Sequence, residues 1–418
     1  MKARQFARYL FVLILHTLTS ATAAETKVAT DFPGGSAEVI ALETAKGIIH
    51  IQPALHEGRG WPNWWYLRLD GLKPGQPVTL KVSAQPRPFR DSQRLAASWS
   101  QPDCAAISTD NVTWTQTPTA EMTKDKERIA IYRFRASDER VWLAPMPPFL
   151  PSHAEELVAR IVKQVPDTER FVLARTRGGR DVCGLRIGSG GYGVWVQARQ
   201  HAWEAGSSWV ARGFIEWVAG DDAAAAQLRC AATIHFIPIM DVDNVTLGAG
   251  GKDATPRDQN RDWDDRPIYP EVTAAQRRIR ELHAQGRLHV FLDLHCPGAG
   301  ERRPYFYGPF DLNQMSPLPK RNYDRFLALA ADCIRDPLLL DAKYHFATYV
   351  KTEEERSRMS RGWVAAHTAE HVVALCLETV WNTPHSTQAG YQAVGRGLAQ
   401  ALARYLAADP QRPVSNDR

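Results

Sequence analysis

The sequence predicts two domains of different fold class, a small β-sandwich over residues 24–149 and a larger α/β domain over residues 150–408, with a tail at 409–418. The length supports two domains, because 418 residues exceed what one ordinary hydrophobic core accommodates. The pattern also changes at a proline-rich stretch, residues 145–151. Before this stretch, short strands are separated by turn residues, and after it strands alternate with helical segments.

The first domain is predicted to consist of strands alone. Residues 65–69, 78–82 and 129–134 each have the composition of a strand, and Asp70-Gly71 has that of a turn. Many short strands punctuated by glycine and proline are typical of a β-sandwich. This part of the chain carries no motif with an evident chemistry, so we expect a packed accessory domain.

The second domain is predicted to alternate strands and helices. Strands are expected at 171–174, 193–197, 233–238, 290–294 and 373–378. Helices are expected at 152–165, 207–219, 272–285, 323–335 and 390–406. Ser152 is expected to cap the first of these helices, with Glu155 completing a capping box. In α/β sheets, ligands collect beyond the carboxyl ends of the strands, so polar residues at those positions are candidate functional residues.

The first residues have the pattern of a secretory signal peptide. A basic segment precedes a short apolar run over residues 9–15, and the small residues 21–24 close it. The run is shorter than the roughly 20 residues that a membrane-spanning helix needs. We therefore expect residues 1–23 to be removed by cleavage near Ala23. The mature protein is then expected to be secreted or periplasmic, with no stable membrane insertion.

Composition excludes some classes of function. The formal net charge of +5 is small for this length, and the 13 tryptophans and 12 tyrosines are not interleaved with clusters of lysine and arginine. We therefore expect no nucleic-acid partner. The six cysteines show no C-x-x-C spacing, which argues against a cysteine zinc site or a redox motif.

Three residues suited to binding zinc follow predicted buried strands. His201 and Glu204 are separated by two residues just after one strand, and His295 closes another. Histidine nitrogen and carboxylate oxygen are both zinc ligands, and a catalytic zinc usually has three protein ligands plus water. Asp293, on the same strand face as His295, is placed to accept a hydrogen bond from it. Each of these features alone also occurs in proteins without a metal.

A polar segment, Asp258-Gln259-Asn260-Arg261-Asp262-Trp263, contains candidate substrate-binding residues. Arg261 offers a planar fork that matches a carboxylate, and Asn260 adds a neutral donor. Together they suit a site that binds the terminal carboxylate of a peptide. The structural alternative is a solvated loop.

Glu378 is a candidate general base. It ends the hydrophobic strand 373–378, where a charge is costly unless a metal, a partner or solvent lies beside it. A carboxylate close to a zinc site can accept the proton of the attacking water. The alternative is a strand end that simply emerges into water.

The order of these motifs resembles that of the zinc carboxypeptidases of the carboxypeptidase A type. The β-sandwich that precedes the catalytic domain is similar to the cytosolic carboxypeptidase-like branch of that family. The matching stretches are Ala198-Arg199-Gln200-His201 with Glu204, the segment 258–263, Leu292-Asp293-Leu294-His295 and Leu377-Glu378, with weaker matches at Trp64-Trp65-Tyr66 and 141–145. The resemblance covers most of the mature chain, and it implies a mixed-sheet catalytic domain.

The resemblance implies a role for each residue that matches a motif. These roles are zinc binding, with one Zn²⁺ per chain, by His201, Glu204 and His295; binding of the terminal carboxylate by Asn260 and Arg261; and activation of water by Glu378.

The sequence also departs from the family pattern. Ala202-Trp203 stands where the family often has Pro-Gly, which changes the rim of the pocket but leaves the ligands intact. The family's carbonyl-polarising arginine has no match, and Lys252 is the nearest candidate for that catalytic role, with Arg257 as another cation at the substrate. Arg361 is a further candidate for lining the pocket.

We therefore expect an exported zinc metallocarboxypeptidase whose partners are the C-termini of peptides or proteins. Two alternatives stay open. One is a zinc amidohydrolase that acts on acyl or peptidoglycan-type amides, and the other is a non-catalytic peptide-binding module on the same scaffold. The intact ligand set and Glu378 argue against the second alternative.

Overall fold

The protein is described from a computed structural model, which covers residues 25–124 and 127–408. The predicted signal peptide and tail lie outside these residues. The described chain has the predicted fold class: a β-rich domain precedes an α/β domain built on a mixed sheet.

The first domain is a sandwich of two five-stranded sheets, with the strand orders β1-β4-β10-β6-β7 and β2-β3-β5-β9-β8. Apolar residues from both sheets, such as Leu69 and Leu80, share one buried cluster. The predicted turn at Asp70-Gly71 links β4 to β5. Because these strands belong to different sheets, the turn connects the two sheets and does not form a hairpin. The strands are β1 (Lys27–Ala29), β2 (Glu38–Glu43), β3 (Ile48–Gln52), β4 (Leu67–Asp70), β5 (Pro77–Ser83), β6 (Ala106–Ser108), β7 (Thr115–Gln116), β8 (Glu121–Met122), β9 (Ile129–Arg135) and β10 (Arg140–Ala144).

The second domain is built on a seven-stranded mixed sheet with the order β11-β12-β14-β13-β15-β17-β16. The four central strands β14, β13, β15 and β17 are parallel, and the outer pairs are antiparallel. The strands are β11 (Glu169–Arg175), β12 (Asp181–Ile187), β13 (Tyr192–Ala198), β14 (Ala232–Ile237), β15 (Leu288–His295), β16 (Tyr305–Tyr307) and β17 (Val373–Glu378).

Every residue of β14, β15 and β17 is buried, as expected for parallel strands in a sheet that is covered on both faces. The helices are α1 (Pro151–Gln164), α2 (Ala205–Val218), α3 (Ala223–Ala231), α4 (Val242–Leu247), α5 (Pro270–Ala284), α6 (Pro317–Cys333), α7 (Glu353–Ser357), α8 (Ser360–His367) and α9 (Gln388–Ala407). Within residues 25–124 and 127–408, none of them has the length and apolar content that crossing a membrane requires.

The predicted cap of the first helix is wrong. Helix α1 begins at Pro151, one residue before the predicted cap Ser152, and the backbone N–H of Leu150 donates to His153 Nδ1 at 3.1 Å. Proline at the first helical position is favoured because its fixed φ suits the helix and its missing N–H is not needed there.

The parallel strands bring the candidate residues to one edge of the sheet. Their carboxyl ends lie side by side, with Ala198 of β13 opposite Leu294 of β15, and His295 of β15 opposite Glu378 of β17. This edge is where an α/β sheet normally holds its ligand.

Candidate active site

The predicted zinc ligands form one buried cluster at this edge. After β13 the chain turns through Arg199, whose φ is 66°, and the Glu204 N–H donates to the His201 carbonyl at 3.1 Å. The turn places both side chains beside His295. Nδ1 of His201 lies 2.7 Å from Oε1 of Glu204, and Nδ1 of His295 lies 2.9 Å from Oε2 of the same carboxylate. The ligand atoms of the three residues all lie within 4.8 Å of one another.

The opposite ring nitrogens of the two histidines are held by aspartates. Nε2 of His201 lies 3.2 Å from Oδ1 of Asp258, and Nε2 of His295 lies 2.9 Å from Oδ2 of Asp293. Burial opposes the ionisation of Asp258, but the charge of His201 and its hydrogen bond hold the pKa of Asp258 well below its usual value. Carboxylates that fix the outer nitrogen of a ligand histidine set its tautomer and its orientation.

This donor set fits a zinc ion. When Nε2 of each histidine donates to its aspartate, each Nδ1 carries a lone pair and faces a carboxylate oxygen of Glu204. Two acceptors at this distance repel each other unless a positive charge, either a proton or a metal ion, lies beside them. Two neutral imidazoles and one carboxylate are also a common ligand set of catalytic zinc.

Glu378 faces the same cavity from the end of β17. Its side chain is buried, and its Oε2 atom has no hydrogen-bond partner in the described part of the chain. The only hydrogen bond to its other oxygen in residues 25–124 and 127–408 comes from Cys376 Sγ at 3.6 Å. Burial raises the pKa of Glu378 to about 7. The negative charge of Glu204 also raises this pKa, whereas His295 and His201 lower it. A carboxyl group with such a pKa can both accept and return a proton near neutral pH.

Asn260 and Arg261 line the cavity together with the zinc-ligand cluster. A short 3₁₀ turn, Gln259–Arg261, begins after Asp258, whose Oδ1 accepts the Asn260 N–H at 2.7 Å. Nδ2 of Asn260 lies 3.4 Å from Nε2 of His295, and its Oδ1 accepts the Ser360 N–H at 2.9 Å. One loop therefore supplies both a support for His201 and two donors at the site.

The three other cations predicted at the site, Lys252, Arg257 and Arg361, differ in their position relative to the cavity. Lys252 lines the cavity, with its Nζ 5.2 Å from the ring centre of Trp61. Arg257 does not line it, because salt bridges of 2.9 Å to Asp262 and to Asp264 occupy its guanidinium group. The structure thus gives no support to substrate binding by Arg257.

Arg361 also lies outside the cavity wall. Its buried guanidinium group is 5.8 Å from the ring of Tyr307, which does line the cavity, and 4.1 Å from that of Phe310. NH1 donates to the Gly308 carbonyl at 2.6 Å. The group therefore lies behind Tyr307, and the structure gives no support to the prediction that Arg361 lines the pocket.

The contribution of the sandwich to the site was not predicted from the sequence. Trp61 and Trp99 of the first domain line the cavity, which has a volume of about 340 Å³. The expectation of a packed accessory domain is therefore incomplete. Neither tryptophan belongs to a recognisable motif, and only the docking of the two domains brings them to the metal cluster.

A mixed sheet with a His-Glu-His cluster at its carboxyl edge is the architecture of a zinc metallohydrolase. Comparison with known families agrees with it: a model described as "Zinc carboxypeptidase" matches residues 154–407, and one described as "Cytosolic carboxypeptidase N-terminal domain" matches residues 28–145. The chain belongs to the zinc carboxypeptidase family. Members of this family use zinc, for which the His-Glu-His cluster is the candidate site.

Relatives of known sequence match this chain in part. An uncharacterized protein of Zymomonas mobilis is 24% identical over 56% of this chain and 58% of its own length. Cytosolic carboxypeptidase 3 of Bos taurus is 29% identical over 24% of this chain and 10% of its own length. The match thus spans less than two thirds of each of these relatives.

Solved structures share the fold across both domains. A metallo-carboxypeptidase from Burkholderia cenocepacia superposes with a TM-score of 0.76 at 20% identity, covering 92% of this chain and 100% of that one. A metallo-carboxypeptidase from Pseudomonas aeruginosa, in complex with (2-guanidinoethylmercapto)succinic acid, superposes with a TM-score of 0.74 at 21% identity. This match covers 92% of this chain and 100% of that one.

Proposed function

We propose that this chain is an exported zinc metallocarboxypeptidase that hydrolyses the C-terminal peptide bond of peptides or proteins. The observation that carries the proposal is that a candidate zinc-binding cluster, a buried carboxylate and a pair of carboxylate-binding donors line one cavity. These residues are His201, Glu204 and His295; Glu378; and Asn260 and Arg261.

His201, Glu204 and His295 are proposed to hold one zinc ion. When bound, zinc supplies a Lewis acid that polarises the scissile carbonyl and lowers the pKa of water. Glu378 accepts the proton of the attacking water at Oε2, which has no hydrogen-bond partner among the described residues, and then delivers it to the leaving amine.

Asn260 and Arg261 orient the substrate. The guanidinium group of Arg261 and the amide of Asn260 bind the terminal carboxylate, which fixes the last peptide bond relative to the metal cluster. Lys252 lines the same cavity and is the cation proposed to stabilise negative charge on the carbonyl oxygen.

Export is proposed from the sequence pattern of residues 1–24, which is that of a cleaved signal peptide. N-terminal sequencing of the protein from fractionated cells tests it. A start near residue 24 in the medium or the periplasm is expected, and an intact N-terminus confined to the cytosol contradicts export.

The activity is tested by mass spectrometry of a peptide library incubated with protein purified from residue 24 onward. Shortening from the C-terminus is expected, and the residues lost report the specificity. Release of acyl groups or of peptidoglycan-type amides, without C-terminal shortening, favours the amidohydrolase alternative. A bound zinc ion with no turnover of either kind favours a binding module.

A further inference from the structure

A row of four tryptophans crosses the junction of the two domains beside the metal cluster. The ring centres of Trp61 and Trp99, from the sandwich, are 4.6 Å apart, and Trp99 lies 5.8 Å from Trp203 of the α/β domain. Trp203 in turn lies 5.6 Å from Trp381. The first three rings line the active-site cavity, while Trp381 lies behind them.

The contacts of Trp61 fix the sandwich end of this row. Its indole N–H donates to Oδ2 of Asp253 at 2.8 Å, and its backbone N–H donates to the Lys252 carbonyl at the same distance. The preceding Gly60 has φ +87°, and a Cβ there would lie 2.2 Å from the Lys252 carbonyl oxygen. Only glycine permits this close approach, so the position of Trp61 is built into the docking of the domains.

Trp99 covers the chain that follows one zinc ligand. The outer edge of its ring lies 3.7 Å from the Cβ position of Gly298, three residues after His295. The rings of Trp61 and Trp99 are only partly buried, whereas Trp203 and Trp381 are buried. The partly exposed rings of Trp61 and Trp99 thus present an aromatic surface to the cavity. The buried rings of Trp203 and Trp381 pack in sequence behind Trp99.

The carboxylate-binding pair contacts the segment 358–360. Asn260 accepts the N–H of Ser360, and the Arg261 carbonyl accepts a hydrogen bond from Arg358 at 3.2 Å. If the terminal carboxylate binds at Asn260 and Arg261, the released residue lies toward this 358–360 segment. The tryptophan row then faces the other part of the substrate, which precedes the scissile bond.

We propose that Trp61, Trp99 and Trp203 form a binding site for an aromatic or large apolar side chain on the acyl side of the scissile bond. The proposal rests on the proposed carboxypeptidase function and adds that the sandwich domain selects substrate. An aromatic side chain gains dispersion contacts and buries apolar area against the rings, whereas alanine at the same position gains little.

The test uses acetylated tetrapeptides with one fixed C-terminal residue, taken from the best hits of the library. The two residues before the scissile bond are varied one at a time between alanine and phenylalanine. Wild-type protein is expected to cleave the phenylalanine peptide with a kcat/KM about 10- to 100-fold higher at one of these positions. Trp99→Ala is expected to reduce this ratio to about 3 or less, and Trp99→Phe to keep most of it.

Trp142→Ala is the matched control, since this tryptophan lies in the same domain but does not line the cavity. It is expected to keep the wild-type ratio. A ratio near 1 in wild-type protein, or an equal loss in Trp142→Ala and Trp99→Ala, overturns the inference while cleavage itself still supports the proposed function. Absence of C-terminal cleavage from every peptide overturns both.

Discussion

His295 and Glu378 are register partners on the neighbouring parallel strands β15 and β17. The backbone bond from the Thr379 N–H to the His295 carbonyl, at 2.9 Å, holds the two strand ends together. A proposed zinc ligand and the proposed general base are therefore positioned by the sheet rather than by loops. Sites built on sheet strands hold their geometry more closely than sites built on loops.

The role of Glu378 predicts a selective loss of turnover. Glu378→Gln keeps the size of the side chain but removes the proton acceptor, so kcat is expected to fall by about 10²- to 10⁴-fold. The measurement is kcat on a cleaved peptide together with zinc content by atomic spectroscopy. Zinc content is expected to stay at the wild-type value, and retained turnover contradicts the role.

The contact between His201 and Asp258 predicts an effect on metal affinity. Asp258→Asn weakens the acceptor that orients His201, so the zinc dissociation constant is expected to rise by about 10- to 100-fold. Competition with a chromogenic chelator measures it. The matched control is Asp265→Asn, an exposed residue that follows the segment 258–263. An equal change in both variants contradicts a specific role for Asp258.

Carboxylate binding by Arg261 predicts a substrate-dependent defect. Arg261→Ala is expected to lower kcat/KM for a peptide with a free C-terminus by about 10- to 100-fold, because a charge-assisted hydrogen bond is lost. The same peptide with a C-terminal amide lacks the charge and is expected to be a poor substrate of both proteins. Arg266→Ala, at an exposed arginine that follows the segment 258–263, is the control. An undiminished preference for the free acid in Arg261→Ala contradicts this assignment.

The buried carboxyl group of Glu271, which is not one of the proposed zinc ligands, leads us to expect that the stability of the protein depends on pH. Glu271 lies in the first turn of α5, its Oε1 accepts from Gln259 Nε2 at 2.7 Å, and its buried Oε2 has no partner in residues 25–124 and 127–408. Burial raises the pKa of Glu271 from 4.5 to about 8. The folded state therefore holds a proton that the unfolded state releases, and stability falls as pH rises from about 4.5 to about 8.

Urea unfolding of zinc-loaded protein at pH 6 and pH 9 measures this effect. Glu271→Gln is expected to reduce the loss of unfolding free energy over this interval by about 2–3 kcal/mol, since one pKa unit corresponds to about 1.4 kcal/mol. Glu281→Gln, an exposed position on the same helix, serves as the control. If Glu271→Gln and wild-type protein lose the same free energy, Glu271 is not the titrating group.

Much of the fold could be predicted because its signals are local. The five strands expected in the second domain are all present, and their order along the chain puts the polar residues at one edge. Strand β12 was missed because Gly184 interrupts its apolar pattern. A Cβ at Gly184 would lie 2.7 Å from the ring of Phe171, so close packing requires the residue that weakens the strand signal. Strand β16 has only three residues, too few for a pattern.

The candidate site was predictable only in part. His201 and Glu204 follow a strand, and His295 and Glu378 each end one, so their convergence is a consequence of the topology of a parallel sheet. Trp61 reaches the cavity through contacts between the two domains. No sequence motif in either domain predicts these contacts. The roles of the positively charged residues were the hardest to predict, because a cation close to the motif can also pair with nearby carboxylates. Arg257 does so with Asp262 and Asp264.

The most direct test of the central proposal is a zinc titration of C-terminal cleavage. Protein stripped with a chelator is mixed with increasing zinc, and shortening of one peptide is followed by mass spectrometry. The proposed function predicts that stripped protein is inactive and that activity rises to a plateau at one zinc per chain. Cleavage that persists in the stripped protein, or a plateau that needs a second equivalent of zinc, contradicts a single-zinc metallocarboxypeptidase.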